Sequence, residues 1–325
     1  MQAKIIEILR KGGEYVSGEE ISKDLKISRA AIWKNIEILR KKGYGIEAMP
    51  RVGYKITNFP DKLIPEEIQC GLKTKILGKK IYYYETLGST MDVAFELGLQ
   101  GAKDGTVVCS ESQTHGKGRM GRSWCSPKQK GIYFSTILRP EIHPVDVAKM
   151  TFLSSVAVCE AVKDICSVDA KIKWPNDILI DNKKVAGILI ELNAEVDSVK
   201  FVVIGIGVNV NTNLKSLPEK ATSLKSETGK SVFRVELTRE ILRSLEKWYL
   251  VWKKDGFAPI ISRWKELSLT LGNMVRIKDS GYLVEGKAID IDEHGGLIVC
   301  DSDGLTVKRM SGDVEHITAE KEYSC

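Results

Sequence analysis

The first sixty residues carry two short helical patterns joined by a tight turn, and this arrangement constrains the fold more than any other feature. Ser17 and Glu20 have the spacing of a helix-capping box, and apolar residues follow at helical intervals. The turn at residues 26–28 ends on Ser28, a good N-cap for a helix over residues 29–42. Two helices joined in this way predict a helix-turn-helix, whose second helix can enter the major groove of DNA.

A hairpin at residues 45–48 and 53–57 follows, which predicts a wing with Arg51 at its tip. Within the helix at 29–42, the apolar spacing predicts a buried stripe of Ala30, Ile32, Trp33, Ile36 and Leu39. The other faces of this helix and the wing are expected to supply the DNA contacts. The residues expected to make them are Ser28, Arg29, Ala31, Lys34, Asn35 and Arg51.

The charge of the chain is concentrated in the same segment. Residues 1–60 contain 12 Lys and Arg against 7 Asp and Glu, a balance of +5, while all 325 residues together carry +6. A basic module joined to a nearly neutral remainder is typical of a nucleic-acid-binding domain attached to an enzyme. A three-helix module that binds another protein is the alternative for this segment.

From about residue 76 the pattern changes to short strands, and one connecting loop alternates glycines with cations. Residues 113–124 read Gln-Thr-His-Gly-Lys-Gly-Arg-Met-Gly-Arg-Ser-Trp. The glycines match G-x-G-x-x-G, but a strand follows them instead of a helix, which argues against a dinucleotide-binding fold. Lys117, Arg119 and Arg122 stand among glycines that let a ligand approach the backbone closely, and this combination predicts an anion site.

Further motifs lie between residues 171 and 209. The sequence Lys-Trp-Pro-Asn-Asp occupies 173–177, and a hairpin with its turn at 181–182 follows, with Lys184 at the start of its second arm. The buried strand at 201–209 contains Gly205 and Gly207, which leave room for a ligand beside one face of the sheet.

These motifs, with Gly-Ser-Thr-x-Asp around Ser89 and Lys-Val-Ala-Gly-Ile-Leu at 184–189, resemble those of the biotin–protein ligases. Their order and spacing are similar to those of the bifunctional bacterial ligase–repressors along essentially the whole chain. The resemblance implies an α+β fold: an N-terminal winged helix-turn-helix, a central mixed and largely antiparallel sheet with helices, and a small SH3-like β-barrel. The central part is expected to have the class II synthetase-like biotin/lipoate ligase fold.

The expected domain boundaries follow from these patterns. Residues 1–58 form the winged helix, 59–75 a linker, 76–268 the catalytic domain and 269–325 the C-terminal domain. In the last of these, five short strands with tight turns predict a small barrel.

The implied reaction is an ATP-dependent ligation. Biotin is activated to biotinyl-5′-adenylate with release of pyrophosphate, and it then passes to one lysine of a biotin carboxyl carrier protein such as that of acetyl-CoA carboxylase. Because a carboxylate and a triphosphate repel each other, fixed cations are needed to bring them together and to stabilise the transition state. The resemblance assigns this catalytic role to Lys184, Arg119 and Arg122, and it implies Mg²⁺ with Asp177 as a ligand.

The resemblance also assigns binding residues position by position. Those expected to bind biotin are Ser89, Thr90, Met91, Gln113, Gly116, Lys117, Gly118, Arg119, Lys184, Gly187 and Gly205. Those expected to bind ATP or the adenylate are Arg119, Arg122, Trp124, Asn176, Asp177, Lys184 and Asn209. Lys117 stands where well-known relatives carry Arg, and Met91 where Asn is common, so modest changes in biotin affinity or adenylate retention are expected.

The family's regulation implies further partners. The adenylate promotes a homodimer through the central sheet, and the dimer presents two winged helices to a palindromic operator, which represses biotin synthesis. Scarce carrier protein leaves the adenylate in place, whereas abundant carrier consumes it. The sequence has no apolar run near the roughly 20 residues of a membrane span and no signal-peptide pattern, so a cytoplasmic protein with no membrane partner is expected.

Two other functions stay open at this point. A lipoate ligase or octanoyl transferase shares the central fold, but usually lacks the winged helix and the Gly-Lys-Gly-Arg-Met-Gly-Arg loop. A repressor that only senses biotin, without catalysis, has no need of Lys184, Arg119 and Arg122. Pyrophosphate exchange with biotin but not with lipoate distinguishes the three functions.

Overall fold

Three β-sheets organise the part of the chain that the computed structural model describes, residues 1–279 and 282–317. The expected C-terminal domain ran to residue 325, so its residues 280–281 and 318–325 lie outside the described part.

The N-terminal module has the expected winged helix-turn-helix architecture. Its elements are α1 (Gln2–Gly12), α2 (Gly18–Leu25), α3 (Arg29–Lys41), β1 (Gly45–Met49) and β2 (Gly53–Asn58). The Ser17 side chain accepts a hydrogen bond from the Glu20 amide at 3.1 Å and begins α2. The Ser28 side chain accepts one from the Ala31 amide at 3.2 Å and begins α3. Both helix starts therefore lie where the capping residues predicted them.

The buried face of α3 is narrower than the sequence predicted. Ile32, Ile36 and Leu39 are buried, but Ala30 is exposed and Trp33 is 59% exposed, so the prediction that these two are buried was wrong. The three buried positions, four and three residues apart, already form a complete helical stripe against α1 and α2. Residue 33 lies about 100° around the helix from residue 32, outside that stripe.

A short linking helix, α4 (Pro65–Gln69), leads to a seven-stranded central sheet. Its strands are β3 (Ile81–Tyr84), β4 (Thr106–Ser110), β5 (Gly131–Leu138), β6 (Lys171–Lys173), β7 (Asp177–Ile180), β8 (Lys183–Ala194) and β9 (Val199–Asn209). The order across the sheet is β3-β4-β5-β9-β8-β7-β6, and every neighbouring pair is antiparallel except β3 with β4. The sheet is thus mixed and largely antiparallel, as expected.

Helices cover the two faces of this sheet unequally. The helices are α5 (Thr90–Leu99), α6 (Ala148–Cys166), α7 (Leu224–Thr228), α8 (Arg234–Asp255) and α9 (Ala258–Leu267). The large core lies on the face covered by α6, α8 and α9, where Ile204, Ile206 and Val208 of β9 are buried. On the other face α5 covers only a smaller cluster around Met91 and Val203. The rest of that second face is left for a ligand site.

The C-terminal segment forms a five-stranded antiparallel sheet in the order β13-β12-β11-β10-β14. Its strands are β10 (Met274–Asp279), β11 (Tyr282–Ile291), β12 (Leu297–Cys300), β13 (Thr306–Arg309) and β14 (Asp313–His316). The indole of Trp174, just after β6, donates to Gly295 O at 3.1 Å, which attaches this sheet to the central one. In the described ranges, every helix is too short or too polar to cross a membrane.

Candidate functional site

The site is built on glycines that share one face of the central sheet. Gly187 of β8 lies directly opposite Gly207 of β9, and Gly205 is two residues away on the same face. A Cβ at position 207 would lie 2.5 Å from the Trp124 ring, and one at position 187 would lie 3.1 Å from it. Only glycine at position 207 lets this ring lie so close to the strand.

A cavity of about 820 Å³ opens above these glycines. A volume of this size is typical of small-molecule sites, which span roughly 300–1,000 Å³. Most of the residues that the sequence singled out line it. These are Ser89, Thr90, Met91, Gln113, Lys117, Gly118, Arg119, Arg122, Trp124, Asn176, Asp177, Lys184, Gly187, Gly205 and Asn209.

Gly116 is the expected site residue that does not line this cavity. Its carbonyl accepts a hydrogen bond from the Trp124 amide at 2.8 Å, and a Cβ at position 116 would lie 2.5 Å from Trp124 O and 2.9 Å from Ser126 Oγ. The structure therefore gives Gly116 a packing role inside the loop, and its direct contact with biotin stays a prediction.

One end of the cavity is a cluster of polar side chains around Thr90. Gln113 Oε1 accepts from the Thr90 amide at 2.8 Å and from Thr90 Oγ1 at 3.1 Å. Gln113 Nε2 donates to Ser126 Oγ at 2.9 Å, and Ser135 Oγ donates to Thr90 Oγ1 at 2.9 Å. Because each group is held by another, their orientations are fixed before a ligand arrives.

Ser89 and Met91 stand beside this polar cluster at the start of α5. Ser89 caps the helix, and its Oγ accepts from the Met91 amide at 3.3 Å. Met91 is only 3% exposed, and its Sδ lies directly over Gly205. Met91 thus places an apolar, adaptable thioether against Gly205. Gly205, Gly187 and Gly207 together are called the glycine floor of the cavity.

Lys117 lines the cavity, and its ammonium is paired with carboxylates. Its Nζ pairs with Asp92 of α5 and lies 3.8 Å from Glu191 Oε1 of β8. The hydrogen bond to Asp92 raises the pKa of Lys117. The ammonium therefore stays charged and links the glycine-rich loop to two elements that flank the cavity.

The two arginines of the loop reach different partners. Arg119 Nη1 donates to Asn176 Oδ1 at 3.0 Å, and Asn176 Nδ2 donates to Ile188 O at 2.7 Å. Arg122 Nη2 lies 2.6 Å from Asp313 Oδ1 at the start of β14. Burial lowers the pKa of Arg119, although this side chain remains charged at neutral pH.

Lys184 and Asp177 form an ion pair across the hairpin of β7 and β8, with Nζ and Oδ1 2.6 Å apart. The Lys184 ammonium also lies 5.4 Å from the centroid of the Trp124 ring. Lys173 lies on the same side of the cavity, where burial lowers its pKa and the Lys184 charge acts in the same direction. The indole Nε1 of Trp124 is buried and has no hydrogen-bond partner among residues 1–279 and 282–317. This end of the cavity therefore combines the side chains of Lys173 and Lys184 with an indole N–H that can donate a hydrogen bond to a ligand.

Sequence reasoning missed the part of the cavity wall that comes from distant segments. The additional lining residues include Lys173, Lys220, Asp313, Glu315 and His316. Lys173 belongs to a motif that had been recognised, so its position beside Asn176 was an available signal. The residues of β14 carried no such signal, because only the tertiary fold brings them to the loop.

The carboxylates of Asp177, Asp313 and Glu315 line the cavity, and Asp177 is the one that the sequence suggested as a metal ligand. The described residues contain no group of three or more His, Cys, Asp or Glu side chains arranged to hold a metal. Mg²⁺ commonly binds through one or two carboxylates and takes its other ligands from phosphate oxygens and water. Asp177 fits that mode, because its carboxylate lines the cavity beside the cations.

A second candidate site lies on the winged helix. Arg29 pairs with Glu19 of α2 at 2.9 Å, and Lys34 is exposed on α3. The amide of Asn35 donates to Ala31 O at 2.8 Å, so this side chain is partly used within the helix.

Arg51 is exposed between β1 and β2, with a positive φ of 64°. Met49 and Val52 beside it are 48% and 43% exposed. Exposed apolar groups next to a cation suit contact with the sugars and phosphates of a nucleic-acid groove. The wing and the outer face of α3 therefore offer a mixed basic and apolar surface.

Family models match three successive parts of the chain. The match to the "HTH domain" covers residues 2–55, that to the "Biotin/lipoate A/B protein ligase family" residues 83–209, and that to the "Biotin protein ligase C terminal domain" residues 270–317. The central match contains the glycine floor and the cation-bearing loop.

Similar proteins are known from several bacteria. The chain is 40% identical over 320 residues to the "Bifunctional ligase/repressor BirA" of Bacillus subtilis (strain 168), which covers 97% of this chain and 98% of that protein. It is 29% identical to the protein of the same name from Escherichia coli (strain K12) over 324 residues, 98% of each chain. The solved structure of a biotin protein ligase from Aquifex aeolicus in complex with biotin and ATP covers 74% of this chain and 100% of its own, with a TM-score of 0.64 and 28% identity.

Proposed function

The chain belongs to the family of bifunctional biotin ligases and repressors, and on that premise we propose that it joins biotin to a carrier-protein lysine through biotinyl-5′-adenylate and represses transcription as an adenylate-bound dimer. One observation supports the catalytic half above all. Lys184, Arg119 and Arg122 line a single cavity on the glycine floor, although Lys184 belongs to β8 and the two arginines belong to the glycine-rich loop.

Biotin is proposed to occupy the end of the cavity near Thr90. Biotin has a polar ureido ring and an apolar chain ending in a carboxylate. The polar cluster of Gln113 and Thr90 suits the ureido ring, and the Met91 thioether suits the apolar body of the molecule. In this orientation the carboxylate points toward the cations.

ATP is proposed to occupy the end lined by Trp124, Asn176 and Lys184. Two cations there have an anionic or amide-carbonyl partner that a phosphate oxygen can replace: Asp177 for Lys184, and Asn176 for Arg119. Charge-assisted hydrogen bonds from these groups would reduce the repulsion between the biotin carboxylate and the α-phosphate. They would also stabilise the charge that develops on the departing pyrophosphate.

We expect Mg²⁺ to be held by Asp177 together with the phosphate oxygens of the nucleotide, and to supply charge neutralisation at those oxygens. The chain's own residues then position the two substrates and keep water away from the mixed anhydride. The loop that bears Lys117 lies along the cavity wall and is tied to α5 through Asp92, which suits that shielding role.

The second half-reaction requires no nucleophile from this chain. A lysine amine of the carrier attacks the activated carbonyl, and AMP leaves. We propose a biotin carboxyl carrier protein as the acceptor, and we expect the reaction to take place in the cytoplasm, where ATP, carrier and chromosome are found together.

The repressor half is supported by the basic winged helix. We propose that the adenylate-bound protein dimerises and places two copies of α3 on a palindromic operator of the biotin biosynthesis genes. The adenylate is then both the intermediate of ligation and the corepressor, so its consumption by carrier protein relieves repression.

Two assays test the ligase assignment. The protein is incubated with Mg²⁺-ATP, a carrier domain and both biotin and lipoate, and the intact mass of the carrier is measured; biotin-dependent ATP–pyrophosphate exchange is measured in parallel. A gain of one biotinyl group supports the proposal. A carrier that gains lipoyl but not biotinyl mass supports the lipoate alternative, and absence of biotin-dependent ATP–pyrophosphate exchange supports a sensor without catalysis.

A further inference from the structure

Glu67 of the linking helix α4 is buried, with no exposed surface, at the junction of the winged helix and the catalytic domain. From the winged helix, Arg10 Nη2 donates to Glu67 Oε2 at 2.6 Å, and the Tyr44 hydroxyl donates to Glu67 Oε1. From α8 of the catalytic domain, Arg239 Nη2 lies 3.4 Å from Glu67 Oε2 and its Nε donates to Glu67 O at 3.0 Å. One carboxylate thus joins three elements.

The charges of this cluster depend on one another because they are removed from water. Burial raises the pKa of Tyr44 and lowers the pKa of Arg239. The guanidinium of Arg10 is further enclosed by the Phe59 ring, whose centroid is 4.2 Å away. Removing one partner from such a cluster leaves the others as buried charges without compensation, which is strongly unfavourable.

The rest of the linker is attached to the same helix. Four charged side chains along α8 hold successive parts of residues 61–77. They are Arg234 at Asp61, Arg239 at Glu67, Arg243 at the Leu72 carbonyl and Glu246 at the amides of Lys75, Ile76 and Leu77. A linker bound at four points along a rigid helix cannot act as a flexible tether.

We propose that Glu67 is a positioning residue for repression, because it locks each winged helix onto α8 and so fixes the separation of the two recognition helices in a dimer. This inference rests on the proposed repressor function. A dimer of fixed geometry matches only half-sites at one separation, since each added base pair moves a half-site by about 3.4 Å and rotates it around the duplex.

The experiment compares Glu67→Gln with the matched control Glu266→Gln. Glu266 lies on α9, and its ion pair is with Arg263 of the same helix at 2.5 Å, so the control removes the same charge without touching the linker or the winged helix. The DNA probe is a duplex selected from random sequence by the biotin- and ATP-loaded wild-type protein, with versions that carry one or two extra base pairs between the half-sites. Biotin ligation by each protein is measured alongside, as a check that the catalytic domain is folded.

For the wild type and for Glu266→Gln, we expect one inserted base pair to weaken binding by at least about thirtyfold. For Glu67→Gln, we expect binding to the selected duplex to fall by about tenfold, while discrimination between spacings shrinks to less than about threefold. Biotin ligation should stay within about twofold of the wild type for both variants, because neither residue lines the cavity. If Glu67→Gln discriminates between spacings as strongly as the wild type does, the inference is overturned, even if its binding is weaker at every spacing.

A second measurement needs no DNA. Amide hydrogen exchange across residues 61–72 should become about tenfold faster or more in Glu67→Gln and stay unchanged in Glu266→Gln. Exchange as slow as in the wild type would contradict a locking role. If the wild type selects no DNA at all, the repressor function fails, whereas the exchange result still decides whether Glu67 holds the winged helix in place.

Discussion

Arg122 of the glycine-rich loop and Asp313 of the C-terminal sheet form an ion pair, with Nη2 and Oδ1 2.6 Å apart. Their side chains are 57% and 46% exposed, so the pair contributes little to stability, on the order of 0–1 kcal/mol. The pair instead affects the charge of the site around Arg122. Asp313 neutralises a cation that the proposed mechanism assigns to the phosphates, so a nucleotide has to replace Asp313 at Arg122.

Asp313→Asn should therefore improve nucleotide binding. We expect the KM for ATP in biotin-dependent pyrophosphate exchange to fall by about threefold to tenfold with kcat nearly unchanged, because the competing carboxylate is lost. Asp303→Asn, at an exposed turn of the same domain, should have no effect on KM. A KM for ATP that rises in Asp313→Asn would show that this carboxylate assists the nucleotide instead of competing with it.

Lys184→Ala should abolish most adenylate formation while leaving the fold intact. The ammonium lies between Asp177 and the Trp124 ring, and its loss removes a positive charge from the place where the proposed transition state becomes negative. Loss of one such group typically costs about 3–4 kcal/mol, which corresponds to about 100-fold or more in kcat/KM for pyrophosphate exchange. Lys183→Ala, at the exposed neighbouring position of β8, is the control. Activity near that of the wild type in Lys184→Ala would remove Lys184 from the mechanism.

The glycine floor predicts a difference between two similar substitutions. In Gly207→Ala the new methyl group meets the Trp124 indole, a rigid ring, at 2.5 Å. In Gly205→Ala it meets the Met91 thioether, which can move aside. Overpacking of this kind costs about 1–3 kcal/mol. We expect Gly207→Ala to weaken ATP binding by about tenfold or more and Gly205→Ala to affect mainly biotin binding, each measured by calorimetric titration; equal effects on both ligands would contradict the two-ended cavity.

Much of the fold follows from local signals in the sequence. The Ser17 and Ser28 caps set two helix starts, and the positive φ angles of Asp181 and Asn182, 46° and 62°, match the tight hairpin turn expected there. Such features depend on a few neighbouring residues and can be seen without tertiary information. The glycines of β8 and β9 were informative for the same reason, since their positions on one face follow from strand alternation.

The site was predicted less completely, because its charges are arranged by long-range contacts. The sequence grouped Lys117, Arg119 and Arg122 as one anion site, yet the structure directs them to three different partners. Asp313 is separated from Arg122 by most of the chain, and no periodicity in the sequence joins them. The partners of a charged side chain depend on the tertiary fold, so the sequence indicated which cations matter but not how they are held.

Trp33 lies exposed on α3, although the sequence predicted that its side chain is buried in the core. Its indole is therefore available for contact with DNA. Because the side chain is 59% exposed, Trp33→Ala should change the free energy of unfolding by less than about 0.5 kcal/mol. A large aromatic group on a groove-facing helix contributes contact area, so we expect DNA affinity to fall by about tenfold in a gel-shift assay with the selected duplex. Leu305→Ala, which removes an exposed apolar group from the C-terminal sheet, is the control. DNA affinity equal to that of the wild type would place Trp33 outside the interface.

The pKa shift of His316, which lines the cavity, predicts how the stability of the protein depends on pH. Burial lowers the pKa of His316, and the nearby Lys173 charge acts in the same direction. The unfolded chain binds a proton on this imidazole below its ordinary pKa of about 6.5, while the folded chain does not until a lower pH. The stabilising contribution is therefore fully present above about pH 6.5 and is lost as the pH falls toward the folded value.

His316→Gln should consequently be less sensitive to acid than the wild type. Between pH 7.5 and 5.5 we expect the Tm of the wild type to fall further than that of His316→Gln, because the background of titrating carboxylates is common to both proteins and cancels in the comparison. His143→Gln, at an exposed position, should follow the wild type. Equal losses of Tm in His316→Gln and the wild type would contradict this prediction. They would mean that the fold does not lower the pKa of His316 and that its imidazole is open to solvent.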